Sequence, residues 1–442
     1  MKIPLPARLL AVPTLLLASA ALAQTPAFPA YSGPPVTLTF WSWVPGIDKT
    51  VAAFEKVYPK IHIKWSNVGS GSAEYTKLLT ALKAGTGAPD VAQVEYDFLP
   101  DFINYGGLVN LTKYGMSKYK SLFVPWTWGQ VSPQGSAVYA IPQDTGPFAL
   151  NYRADIFKKY GLAVPKTWAQ FAADAAKLKR ESGGKIYFSD FFSTYAPWVM
   201  GLAWADGGRF WTHSGHTWTQ SLNNAAAKRV MSFWGKLVKA GEVATLPDFT
   251  SELNSALAKG QVALLVQAAW GPGSLASTLG SVSAGDWRAA PLPQWTAGGH
   301  FASGNWGGSS DVVTIQSKHK QAAAIFALWI NAAPTAVALN WQNGGLFPAD
   351  RAGLSLPALH DPHQNPSKFF GGQNIAQIYA QASRGVPVNF VWAPWFLYAN
   401  NSFNRYAAAA VSGKMGWAAS LDAWQNDVLS YAKGQGYQVK GN

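Results

Sequence analysis

Apolar and polar positions along this chain follow two periods, and each change of period marks a new element. Val36-Thr-Leu-Thr-Phe40 alternates with a period of two, the pattern of a half-buried strand. Between Asp48 and Val57, the apolar Val51, Phe54 and Val57 fall at helical spacing, which predicts an amphipathic helix stopped by Pro59. Ile61-His-Ile-Lys-Trp65 returns to the strand period. Ser72 reads as the cap of a second helix, which carries Tyr75, Leu78, Leu79 and Leu82 and ends at Gly85. Asp90-Val-Ala-Gln-Val94 is a third strand, with a short helix near Leu99–Asn104 after it. A βαβαβ order of this kind requires right-handed crossovers, and so a parallel sheet with helices on both faces.

A second α/β unit opens with a strand at Phe148–Asn151 and a short helix at Ala154–Tyr160. Thr167 with Gln170 forms a capping box that starts a helix running through Lys179. Helices over Asn224–Ala240 and Ser251–Lys259 precede a strand at Val262–Val266. A turn-rich span near Gly271–Gly285 follows, then strands at Trp287–Pro291 and Asp311–Ile315 and a helix at Lys320–Asn331. The tail from Pro348 is interrupted by prolines and helical, ending in Trp417–Tyr431. The expected fold class is α/β in two lobes, with the chain passing between them more than once. A cleft between lobes is a favoured place for a ligand pocket.

The N-terminus changes the picture of where the fold begins. Lys2 and Arg8 form a weak basic region before an apolar stretch, Leu9 to Leu22, that is broken by Pro13 and ends at the small-residue site Ala21-Leu-Ala23. This reads as a signal peptide over residues 1–23, too short and too broken for a spanning helix, with a Pro-rich leader over 24–35. Cysteine is absent, which excludes disulfides, thiolate metal sites, a thiol nucleophile and a lipid attached at the cleavage site. The expectation is a soluble, unlipidated periplasmic protein; free secretion is the alternative. The net charge of +13 reflects scarce acids, 22 against 35 Lys and Arg, and the bases are dispersed. A nucleic-acid partner would need them gathered on one stripe, so none is expected.

Enzyme signatures are missing: no phosphate-binding GxxxxGK[ST], no GxSxG elbow, no HExxH and no complete GxGxxG. His213/His216 and His360/His363 have HxxH spacing but sit in Ser/Gly/Pro-rich loops without a nearby carboxylate set, so neither a metal nor a cofactor is expected. Aromatic residues carry the signal instead. Trp41 and Trp43 stand where the first strand runs out, Trp270 follows the Val262–Val266 strand, and Trp306 precedes the Asp311 strand. Ligands of open α/β sheets bind at the carboxyl ends of strands, and an indole there can stack on the C–H face of a sugar ring. Trp392 and Trp395 are further candidates, while Trp168, Trp234 and Trp329 read as core. Four carboxylates are placed to accept paired hydroxyl hydrogen bonds: Glu95 and Asp97 after the third strand, Asp144, and Asp190. These residues point to an exported sugar-binding receptor. The rival is a secreted carbohydrate-active hydrolase, which would need two of the acids facing one glycosidic bond.

Several runs also resemble the solute-binding proteins of sugar ABC importers, the class related to maltodextrin-binding protein. They are Phe54-Glu-Lys-Val-Tyr-Pro59 with Ile61-His-Ile63, Leu78–Gly85 before Ala88-Pro-Asp-Val91, and Tyr139-Ala-Ile-Pro142 before Leu150-Asn-Tyr-Arg-Ala-Asp-Ile-Phe157 and Pro165-Lys-Thr-Trp168. Gly260-Gln-Val-Ala-Leu before Trp270, Gly307-Gly308 before a strand, and Gly345-Leu-Phe-Pro348 complete the series, which spans about Val36 to Lys433. The resemblance implies a two-lobe Venus-flytrap fold, with residues 36–144 plus 293–346 in one lobe and 145–292 plus 347–442 in the other. Crossings are expected near Asp144–Phe148, Pro291–Trp295 and Leu346–Pro348. By motif position Trp43, Glu95, Asp144, Trp270, Trp306 and Gly307 would line the cleft, with Arg351 just after the third crossing. The implied partners are a carbohydrate and an inner-membrane ABC permease with its ATPase, met by a monomeric receptor. Many relatives carry a lipid-bearing cysteine at the cleavage site, and this chain does not.

Overall fold

A computed structural model describes residues 27–133 and 135–442. The signal peptide expected at 1–23 lies outside the described residues. The described part of the leader is tied down, with Tyr58 Oη donating to the Pro29 carbonyl (3.0 Å) and Tyr119 Oη to that of Ala27 (2.8 Å).

The chain opens with β1 (Val36–Trp41), α1 (Ile47–Val57), β2 (Ile61–Ser66), α2 (Ser72–Ala84), β3 (Val91–Glu95), α3 (Leu99–Tyr105), α4 (Pro125–Val131) and β4 (Ala140–Pro142). Val36, Leu38 and Phe40 of β1 are buried and Thr37 and Thr39 exposed, as the period predicts. α1 buries Ile47, Thr50, Val51 and Phe54, whereas Val57 falls past the buried face and is exposed. At α2 the N-cap is Gly71, not Ser72; the Ser72 hydroxyl instead hydrogen-bonds Asn401 at 3.2 Å. Then come β5 (Phe148–Arg153), α5 (Ala154–Lys159), α6 (Trp168–Glu181), β6 (Ser189–Asp190), α7 (Ala196–Ala205), β7 (Trp211–Ser214), β8 (Thr217–Gln220), α8 (Ala225–Lys239) and β9 (Val243–Ala244). The Thr167–Gln170 capping box opens α6 with both reciprocal hydrogen bonds in place. The last stretch holds α9 (Ser251–Ala258), β10 (Leu264–Ala268), α10 (Gly271–Leu279), β11 (Trp287–Pro291), β12 (Ser309–Val313), α11 (Lys320–Ala332), α12 (Pro334–Gly344), α13 (Pro357–His360), α14 (Ile375–Arg384), α15 (Phe396–Val411), α16 (Trp417–Gly434) and β13 (Val439–Gly441).

Two sheets organise the site. The first has the order β2-β1-β3-β12-β4, with β1, β2 and β3 parallel and β12 antiparallel to both its neighbours. The parallel β1–β3 are as the βαβαβ order requires, whereas the second sheet, β10-β5-β11, is antiparallel throughout. The crossover rule constrains parallel strands joined by one helix, whereas β10 reaches β5 after an excursion through several helices. The chain passes from the first sheet to the second between β4 and β5 and returns between β11 and β12. The crossing segments are sewn together: Thr145 N–H donates to the Phe347 carbonyl (2.8 Å), Trp306 N–H to that of Gly146 (2.8 Å), and Gly146 N–H to Asn305 Oδ1 (2.8 Å).

α11 is apolar on every side because it is buried on every side. Among the described residues no single helix is long and apolar enough to cross a membrane. Trp168, Trp234 and Trp329 are core, as expected. So are Trp392 and Trp395, which correct their candidacy for the site. Trp392 packs against Phe390, Trp211 and Phe396, and Trp395 Nε1 donates to Gln220 Oε1 at 3.0 Å.

Candidate functional site

A cavity of about 410 Å³ opens where the two sheets meet. One side is built from the carboxyl ends of β1, β3 and β4. Past β1, Trp43, Val44 and Pro45 form a wall, with the Trp43 ring edge-on to Tyr75 at 6.2 Å. Gln93 holds this wall in register: its Oε1 accepts from Ser42 Oγ (2.7 Å) and Trp43 N–H (3.3 Å), and its Nε2 donates to Ser309 Oγ (3.1 Å). Two residues further along β3, and so on the same face of the strand, Glu95 meets the cavity. Tyr75 Oη donates to Glu95 Oε2 (2.9 Å) and accepts from its backbone N–H (3.0 Å), which fixes the carboxyl group.

Asp144 stands at the first crossing. Its Oδ1 accepts from Ser309 N–H at 2.7 Å, and its carbonyl accepts from Tyr96 Oη at 3.0 Å. Burial pushes both acids up, Glu95 to about 7 and Asp144 to about 7, and the Glu95 charge adds to the rise at Asp144. Behind them lie further buried acids. Glu74 rises to about 8 and Asp311 to about 7, chiefly through burial.

The other side is aromatic. The buried Trp306 meets Trp270 edge-to-face at 4.8 Å. Phe249 adjoins both rings, at 5.8 and 5.9 Å, and Tyr195 stands perpendicular to Phe249 at 5.2 Å. The floor is one face of α10, with Gly273, Ser274, Ser277 and Thr278. This helix occupies the span expected to be turn-rich, a correction with a local reason. Pro272 sits in the first turn, where its missing N–H costs nothing. Gly273 is there for close approach: a Cβ would lie 2.6 Å from the Gly345 Cα.

Of the residues singled out in the sequence, Trp43, Glu95, Asp144, Trp270 and Trp306 share this cavity. Gly307, at φ +65°, lies just behind the wall, where a Cβ would crowd Glu95 Oε1 and Trp270 Nε1, both at 3.3 Å. The others are elsewhere. Trp41 is half-buried at the end of β1, outside the wall. Asp97 is buried in the turn before α3. Asp190 is buried beneath the loop after β9, where its Oδ1 accepts from Leu246 N–H at 3.0 Å, and Arg351 is exposed, its backbone N–H donating to the Leu122 carbonyl at 2.7 Å. The lining also includes Gln93, Tyr195, Phe249, Asn343 and the α10 hydroxyls, which the sequence reading missed. Gln93 had a visible signal, a polar residue inside an otherwise apolar strand. Tyr195 and Phe249 had none, since both lie in loops far apart in sequence.

No lysine, arginine or histidine is among the lining residues, although the chain as a whole is strongly basic. Among the described residues no group of three or more His, Cys, Asp or Glu side chains could hold a metal ion. The HxxH pairs have structural settings, with His213 in the β7–β8 hairpin and His360 bonded to Asn374 and the Leu354 carbonyl.

The sequence matches the family model for bacterial extracellular solute-binding proteins over residues 41–336, more than half of the chain. The chain belongs to that family. Among solute-binding proteins of known structure, it superposes on the ABC-transporter-associated binding protein of B. animalis subsp. lactis, solved with β-1,6-galactobiose, with a TM-score of 0.82 and 30% identity, covering 92% of this chain and 100% of that one. It is also similar to the galacto-N-biose/lacto-N-biose I-binding protein of Bifidobacterium longum, at TM-score 0.81 and 27% identity over 93% of this chain and 100% of that one. A lactose-binding protein of Rhizobium radiobacter is 27% identical over 86% of this chain and 88% of its own length. The fold is thus the two-lobe fold of periplasmic binding proteins, with the cavity where the chain crosses between lobes. As in the sequence reading, this solute-binding protein is α/β with several crossings.

Proposed function

We propose that this solute-binding protein captures a saccharide in the 410 Å³ cavity and hands it, unaltered, to an inner-membrane ABC permease driven by an ATPase. The observation that carries this reading is the make-up of the wall. The aromatic rings of Trp43, Trp270, Phe249 and Tyr195 share the lining with the oxygen acceptors of Glu95, Asp144 and Gln93, and no lysine, arginine or histidine stands among the lining residues to recognise an anion. A sugar ring offers the matching surfaces, apolar C–H faces and a rim of hydroxyl donors. Relatives of known structure were solved with β-1,6-galactobiose and lacto-N-biose, which makes small neutral oligosaccharides the first class to try.

The residues proposed to bind are Trp43, Glu95, Asp144, Trp270 and Trp306 with its Gly307 turn, together with Gln93, Tyr195 and Phe249. The lobes are taken as 36–144 with 293–346 and 145–292 with 347–442. Sugar docked on one lobe would stabilise closure by contacts to the other, and it shifts that equilibrium only through its higher affinity for the closed form. The receptor would act as a monomer in the periplasm, released by cleavage after Ala23 and unlipidated.

A thermal-shift screen over mono-, di- and trisaccharides tests the reading, because native stability rises as RT ln(1 + [L]/Kd) for a true ligand. A shift with one sugar class and the same sugar recovered intact supports it. Steady cleavage of the sugar, lost in Glu95→Gln or Asp144→Asn, would put a hydrolase in its place.

A further inference from the structure

Phe249 is unusual in two independent ways. Among the described residues it is the one non-glycine with a positive φ, +58°, a region that a bulky L side chain rarely adopts. It is also 44% exposed, a large apolar ring standing in the wall of a cavity. Its neighbours over-determine the strained turn. Asp248 Oδ2 accepts from Thr194 N–H (2.9 Å) and from the Thr194 hydroxyl. Thr250 caps α9, and its hydroxyl donates back to the Pro247 carbonyl at 2.7 Å. Strained backbone persists only where its surroundings enforce it, and such residues cluster at ligand clamps.

The ring also separates two spaces. Beyond it lies a second, smaller recess of about 20 Å³, walled by Phe192, Leu253, Leu257 and Leu275 with the polar Asn254 and Gln267. Phe249, Ser274 and Thr278 line both spaces, and of these three only Phe249 has a side chain large enough to act as a partition. Removing it would join the recess to the main cavity and lengthen the space open to a ligand.

We propose that Phe249 is a specificity-determining residue: its ring, set in place by a left-handed backbone, closes one end of the cavity and limits the length of saccharide that fits. This rests on the sugar-receptor reading. The turn trades stability for placement of the ring, so substitution should separate the two effects.

The test compares wild type with Phe249→Gly and Phe249→Ala, using thermal melts and titration with β-1,6-galactobiose and -triose and with arabinobiose and -triose. Both variants lack the ring, so they differ in backbone tolerance alone. The Gly variant is expected to melt above the Ala variant, by about 1 °C or more, because only glycine accepts this φ freely. For the sugar pair that wild type binds, both variants are expected to weaken the disaccharide about tenfold. The trisaccharide-to-disaccharide affinity ratio is expected to rise about fivefold or more. An unchanged ratio, or an Ala variant at least as stable as the Gly variant, overturns the inference while leaving the receptor reading intact. If wild type binds no saccharide across the full mono- to trisaccharide screen, the receptor reading falls and this inference falls with it; where another sugar class binds, its di- and trisaccharides are the pair compared.

Discussion

Trp270 Nε1 donates a 3.0 Å hydrogen bond to the backbone carbonyl of Trp306. The indole N–H is thereby used inside the protein and the ring is locked in orientation, so what Trp270 offers the cavity is its face. A residue that acts by stacking should tolerate another flat ring better than the loss of one. Trp270→Ala is expected to weaken saccharide binding by about tenfold or more, from about 1.5 kcal/mol of lost aromatic contact. Trp270→Phe, which keeps a face but leaves the Trp306 carbonyl unpaired, should fall between the two when measured by isothermal titration.

The two lining acids should respond differently to substitution. Glu95→Gln keeps the shape and an acceptor oxygen but loses the charge that strengthens hydrogen bonds from sugar hydroxyls. Its affinity is expected to drop about tenfold with melting temperature unchanged or raised at pH 8. Asp144→Ala removes the partner of the buried Ser309 N–H, which costs about 1–3 kcal/mol, so it should lower the melting temperature as well as the affinity. Paired melts and titrations distinguish these outcomes.

How much of this was legible in the sequence follows from where each residue sits. Glu95 ends an apolar strand, and Trp43 and Trp270 each stand two residues past one, so their place at a strand's carboxyl end could be read from the strand alone. The α10 hydroxyls were hidden because Gly271-Pro-Gly reads as a breaker, whereas here the proline fits a helix start and Gly273 answers a contact with Gly345, remote in sequence. Trp392 was a site candidate in a Pro-interrupted tail, but β7 and α15 bring Trp211 and Phe396 against it, which no local pattern announces. Asp190 was a candidate acceptor for sugar hydroxyls, but it is buried and accepts from Leu246 N–H in the loop after β9. Tyr195 and Phe249 meet only in three dimensions.

Stability should fall as pH rises. Glu74, Asp101 and Asp190 are pushed up to about 8, and Glu95, Asp144 and Asp311 to about 7, each chiefly by burial. Each therefore binds its proton more tightly folded than unfolded. The stability this contributes is full below the ordinary carboxylate range and is lost as pH climbs through 7 to 8. Melting temperature is expected to decline by a few degrees between pH 5 and 8.5. Glu74→Gln should flatten that decline, since both Glu74 carboxyl oxygens are buried without a hydrogen-bond partner in the protein.

Binding should show the opposite sign. Hydroxyl donors favour the ionised forms of Glu95 and Asp144, so the sugar lowers both proton affinities and drives protons off. Affinity is expected to tighten several-fold from pH 6 to pH 8. Titration heats in buffers of different ionisation enthalpy should report proton release near neutrality, and a loss of affinity over that range would contradict the assignment of these acids.

The most direct measurement of the central claim is isothermal titration of the purified protein with β-1,6-galactobiose, lactose and arabino-oligosaccharides, followed by recovery of the ligand. One site per chain, micromolar or tighter, with the sugar returned intact and the heat abolished or strongly reduced in Trp270→Ala, is the result expected. No heat with any saccharide, or a cleaved sugar in the recovered pool, would contradict it.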